Sequence, residues 1–258
     1  MPAGGLLRPR SGSSRCLSGS ERGRPEPDRT EGWVVPHRLS RGLILVPWRR
    51  GRVNEVHFSE YSVAIRPDLL AGLRSLWSNL AAPGTWWSGA QRVAIAAAAR
   101  GGSAEGIPAA AAGAARTIYS DITSTSRRWV EAVLAAGLTM PAFVEVIGVV
   151  SRLAAVDEFS RALGRPLEPL PDSLPGAPSG VEPPPSRPGR SWVPMIGGMS
   201  ITGALSLVPA EARAQEEIHG PLYMTYAQMA DQEFERELTR PQMELVAGRV
   251  SAVNECFY

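Results

Sequence analysis

The stretch Thr139-Met140-Pro141-Ala142-Phe143-Val144-Glu145-Val146-Ile147-Gly148-Val149-Val150-Ser151-Arg152-Leu153-Ala154-Ala155-Val156-Asp157-Glu158-Phe159 decides the fold class. Phe143, Ile147, Val150, Ala154 and Phe159 recur at helical spacing, the mark of a helix that buries an apolar stripe. Thr139 can cap the start and Gly164 can end it, so the pattern predicts one long helix over residues 140–163. The run is apolar enough to raise a membrane span, but Glu145 and Arg152 interrupt it and Asp157 and Glu158 follow. It reads as a buried helix of a soluble protein, with its stripe used for packing and not as a ligand site.

Working outward, Leu69, Leu70, Leu73, Leu76, Trp77 and Leu80 predict an amphipathic helix opened by Pro67 and Asp68. Ser88 and Gln91 form a capping box for a helix over residues 88–100, stopped by Gly101 and Gly102. Residues 108–115 are Ala-rich and can be helical, although Gly113 and the lack of large side chains predict weak packing. A further helix over residues 127–136 closes at Gly137. Nine prolines between residues 165 and 190, with no periodic apolar face, predict an extended connector with a few anchoring residues. Beyond it, short helices over 201–207 and 210–218 flank Pro209, and a longer one covers 223–238. Thr239 and Gln242 form a second capping box for the last helix, with Pro241 in its first turn. No segment alternates as a strand does, so the expected fold class is all-α.

Placing Ser88 over Thr239 aligns Gln91 with Gln242 and Ala96 with Ala247. That points to two related helical halves, residues 53–164 and 191–258, joined by the connector 165–190. Glu105 then stands where Cys256 does, which would make the first half a structural partner.

Charge is unevenly spread. Residues 1–52 carry eleven Arg against Glu21, Glu26, Asp28 and Glu31, which leaves about −5 for the remainder of a chain whose net charge is +2. The segment is poor in periodic apolar residues and is expected to be disordered. An Arg-rich nucleic-acid or targeting arm is one reading; a start codon placed too far upstream, with the true beginning near Val53, is preferred. Arg, Ala, Gly and Pro abound and Lys is absent, as in a GC-rich coding sequence. No nucleic-acid or membrane partner is expected. Cys16 and Cys256 are too few for a disulfide framework, and Leu43 to Val46 is too short for a signal sequence, so the expected setting is cytoplasmic.

Chemistry concentrates in Glu244-Leu-Val-Ala-Gly-Arg249-Val-Ser251-Ala-Val-Asn254-Glu255-Cys256-Phe257-Tyr258. Eleven residues separate a carboxylate from a thiol. Cysteine reacts as the thiolate, which a helix N-terminus favours, and a helix break at Asn254 would let a new helix begin at Cys256. Alone, such a pair would read as an inert cysteine and a solvated carboxylate. His37, His57 and His219 read as surface or structural residues. Neither a metal-ligand cluster, a glycine-rich phosphate loop nor a Ser-His-Asp arrangement is suggested, and no cofactor or metal is expected.

The segment resembles the active-site region of the alkylhydroperoxidase D (AhpD) and carboxymuconolactone decarboxylase-like family, whose pattern is Glu, eleven residues and Cys-x-x-Cys, often with Arg-x-Ser-x-x-Asn before it; Arg249, Ser251 and Asn254 match in place. The resemblance is best over residues 191–258 and looser over about 60–164. It implies an AhpD-like helical fold, often oligomeric, that reduces a hydroperoxide substrate with electrons from a thiol reductant. By the same resemblance Cys256 takes the place of the first motif cysteine and Glu244 that of the proton-relay carboxylate. The second cysteine, or a selenocysteine, and the relay His have no counterpart up to Tyr258, so the active site is expected to be truncated and the remaining sulfur sluggish. Residues 191–258 are expected to fold poorly alone. Two alternatives remain open: a decarboxylase-like lyase in which the cysteine is incidental, and a non-catalytic truncated subunit.

Overall fold

Pro67 opens the first helix because its ring fixes a helical φ and its missing amide proton falls where no intrahelical acceptor exists. The computed structural model describes residues 64–186, 191–196 and 203–254, within the compact unit Arg49–Tyr258. The helices are α1 (Pro67–Ala81), α2 (Gly89–Ala99), α3 (Ala109–Ser120), α4 (Arg127–Ala135), α5 (Met140–Ala162), α6 (Pro209–Leu222), α7 (Tyr226–Ala230) and α8 (Arg240–Val253), with single 3₁₀ turns at Ile122–Ser124 and Gly203–Leu205. No strand is present among the described residues, so the protein is all-α. The expected tail, residues 1–52, lies outside the described residues.

α5 is the axis. α1, α2, α3 and α6 all pack on it, and it is buried on almost every side, from Ala142 to Ser160. Phe143 and Val150 of the expected stripe are buried, whereas Ile147, Ala154 and Phe159 are half-buried. No single described helix is long and apolar enough to cross a membrane; α4 and α5 pass that test only as a pair, bent by 117°. The Ala-rich segment corrects expectation. Ala111, Ala112, Ala114 and Ala115 of α3 are all buried, and α3 packs both on α2, which buries its own Ala96, Ala98 and Ala99, and on α5. Small side chains let two helices approach closely, so packing here is tight for the reason that had suggested it would be weak.

The charges of α5 are inside the bundle. Arg92 of α2 donates from Nη1 to Glu145 Oε1 at 2.6 Å and to Glu211 Oε1 of α6 at 2.9 Å. Arg152 pairs with the other Glu211 oxygen. Arg92 also donates from Nη2 to the carbonyl and side-chain oxygens of Asn79 on α1, at 3.2 and 3.1 Å. Glu145 Oε2 accepts the backbone amides of Thr85 and Trp86 at 3.1 and 2.7 Å, which fixes the loop between α1 and α2. None of the four charged residues is more than 2% exposed. Two cations and two carboxylates thus balance in a buried core, where any one left alone would be heavily penalised. Glycine makes the space. A Cβ on Gly84 would strike the Glu145 and Arg92 head groups, and one on Gly148 would strike the Glu211 carboxylate.

A second network ties the outer layer. Asp157 accepts two bonds from Arg100, from Nε at 2.9 Å and Nη2 at 2.5 Å, and another from the Tyr119 hydroxyl, which itself accepts from Arg161 at 2.8 Å. Arg100 Nη1 also donates to the carbonyl of Glu168, and Trp77 Nε1 to that of Pro169, at 2.9 and 3.2 Å. These bonds, with Leu174, Ser179 and Gly180 amides donating to Ala81, Gly84 and Thr85 carbonyls, strap the Pro-rich connector along α1 and the α1–α2 loop. Described connector residues 165–186 contain neither helix nor strand. The stretches on either side of the connector do not form separate cores, since α6 packs on α1 and α5 and shares the ion cluster.

Boundaries after the connector also shift. Among described residues of 201–207 only the 3₁₀ turn appears, and α6 runs from Pro209, at its first position, to Leu222. The longer helix expected over 223–238 is only Tyr226–Ala230. The reason lies in polar competition: Arg240 donates to the carbonyls of Gln228, Met229 and Asp231, while Arg236 donates to Gln228 Oε1 and the Gly220 carbonyl. Guanidinium donors take the terminal carbonyls that a longer helix would have satisfied internally.

Burial pushes the Glu211 carboxyl up, but Arg152 and Arg92 outweigh it and hold it below the usual value near 4.5. Burial raises Glu145 against the pull of Arg92, so Glu145 acts in the opposite sense, destabilising the fold as pH rises above its ordinary value. Glu211→Gln, which leaves a buried guanidinium uncompensated, is expected to lower unfolding free energy by about 3–5 kcal/mol in urea at neutral pH. Because the folded Glu211 value is depressed, its contribution is full above about pH 4.5 and fades as pH falls through the folded value, so the gap between the two proteins should narrow there.

Candidate functional site

α8 starts where the capping box predicts. The Thr239 amide donates to Gln242 Oε1 at 2.9 Å, and Pro241 sits in the first turn. Ser88 and Gln91 form the matching box on α2, with the Ser88 amide donating to Gln91 Oε1 at 3.0 Å. The helices then diverge: α2 buries Arg92, Ile95, Ala96, Ala98 and Ala99, whereas Met243 alone is buried on α8. Local capping is shared and tertiary environment is not.

Glu244 lies in the second turn of α8 on the solvent side, its side chain 48% exposed. Arg240 Nε, one turn earlier, donates to Glu244 Oε1 at 2.7 Å, and the Tyr223 hydroxyl donates to Oε2 at 3.2 Å. Tyr223 follows α6, so this bond fastens α8 to the end of that helix. His219, one turn back on α6, meets Tyr223 edge-to-face at 5.9 Å between ring centroids and stacks on Tyr226 at 6.1 Å. The carboxylate is thus oriented by a cation and a phenol, with an imidazole against the phenol. Burial, the Glu244 charge and the hydrogen bond to it together push the Tyr223 hydroxyl above the usual value of 10.

Arg249 and Ser251 lie on α8, and Asn254 caps its end with φ −86° and ψ 4°. The helix therefore stops at Asn254 as expected, but without the left-handed conformation that had suggested the stop. Cys256 lies outside the described residues, as do His37, His57 and Cys16. Chain geometry bounds its reach. Ten residues of helix separate Glu244 from Asn254 by about 15 Å along the axis. Two residues of extended chain add at most about 7 Å. A contact between Glu244 and Cys256 within one chain thus requires the backbone to reverse immediately after Asn254.

The sequence pointed to Glu244 but not to Tyr223 or Arg240, and His219, read there as a surface or structural residue, packs on Tyr223 and Tyr226. Arg240 was accessible from its four-residue spacing to Glu244. Tyr223 was not, because its contact depends on how α6 and α8 meet across the irregular residues 231–239. Elsewhere, a cavity of about 230 Å³ lies between α4 and residues 191–194, walled by Val130, Leu134, Met140, Trp192 and Val193; it contains none of these groups. Among the described residues no three His, Cys, Asp or Glu side chains are grouped to hold a metal ion. No family model matches the chain, and no curated protein or solved structure is significantly similar to it.

If Glu244 is what holds the Tyr223 proton, Glu244→Gln should let that phenol ionise nearer to 10, while the other tyrosines keep their titration midpoints. Tyrosine-selective ¹³C NMR titration reads this directly; an unchanged Tyr223 midpoint would separate the two residues.

Proposed function

We propose that the protein acts in thiol-dependent reduction of hydroperoxides, in the manner that the AhpD-like resemblance of residues 244–256 implies. The observation that carries the reading is Glu244 itself. It is a solvent-facing carboxylate oriented by Arg240 and Tyr223, on the helix whose end directly precedes the segment bearing Cys256. A relay group must be accessible, held in one geometry and within hydrogen-bond reach of the thiol; Glu244 is accessible and oriented, and reaches Cys256 where the backbone reverses after Asn254.

In the proposed step the Cys256 thiolate attacks an oxygen of the hydroperoxide. A sulfur–oxygen bond forms, the oxygen–oxygen bond breaks, and the departing alkoxide takes a proton and leaves as an alcohol. Sulfur is oxidised to sulfenic acid and the peroxide is reduced. Glu244 accepts the thiol proton and returns it to the leaving oxygen, with Tyr223 orienting the carboxylate. A thiol reductant then attacks the sulfenic sulfur, releases water and forms a mixed disulfide, which a second thiol reduces.

With cumene hydroperoxide and dithiothreitol, Cys256→Ser should abolish protein-dependent turnover and Glu244→Gln should slow it about 10²- to 10⁴-fold, the range of a general acid–base group. Peroxide treatment should place a dimedone adduct on Cys256, detectable by peptide mass spectrometry. Unchanged turnover in Cys256→Ser, or the absence of both turnover and adduct, would contradict the proposal.

A further inference from the structure

We draw no further inference here: the strongest candidate, the cavity of about 230 Å³ between α4 and residues 191–194, has apolar walls and the exposed Trp192 at its edge, but nothing in the structure shows what covers it or selects a ligand for it.

Discussion

Four charged side chains buried in the core, Arg92, Glu145, Arg152 and Glu211, fix how the helices of this protein can be arranged. Each sits on α2, α5 or α6, and Asn79 adds α1 through Arg92. Apolar contacts tolerate small slips of one helix past another. A guanidinium shared between two carboxylates does not, because moving either partner strands a buried charge. Gly84 and Gly148 are needed at their positions because a methyl group there would occupy the space of the head groups. The cluster is not fully satisfied, since Arg92 Nε and Arg152 Nε and Nη1 find no protein acceptor. Its effect is better described as choosing one arrangement than as adding net stability.

The same cluster explains why the connector is not a hinge between independent halves. Glu211 lies on the far side of the Pro-rich stretch yet completes the charge balance of α2 and α5. Arg100 and Trp77 then hold the connector itself by its carbonyls. What lies beyond α6 has no such tie. α7 and α8 are held chiefly by Arg236, Arg240 and the Tyr223–Glu244 bond. The assembly of α1, α2, α3, α5 and α6 thereby carries a loosely attached helix on which the candidate carboxylate is displayed.

How much of this was legible in the sequence follows from the range of each interaction. Helix starts set by neighbouring residues were readable: Ser88 with Gln91, Thr139 before α5, and Thr239 with Gln242 all open helices where their spacing says they should. The end of α7 was not, because it is set by Arg236 and Arg240 reaching back across the intervening loop. Glu145 and Arg152 were visible as breaks in an apolar run, seven residues apart on one face of α5, but their partners on α2 and α6 lie 53 and 59 residues away. The Ala-rich helix was misjudged because packing was equated with side-chain size, when small side chains permit close helix approach. At the candidate site Glu244 was legible and Tyr223 was not, for want of any local signal joining α6 to α8.

The central claim is that the buried charges join α1, α2, α5 and α6 into one cooperative unit that excludes α8. Native-state hydrogen exchange resolved by residue tests it most directly. Amides in the middle of α6 should open only with those of α5, at the free energy of global unfolding, while α8 amides open at much lower cost. Exchange of α6 together with α8, well below the protection of α5, would contradict the account.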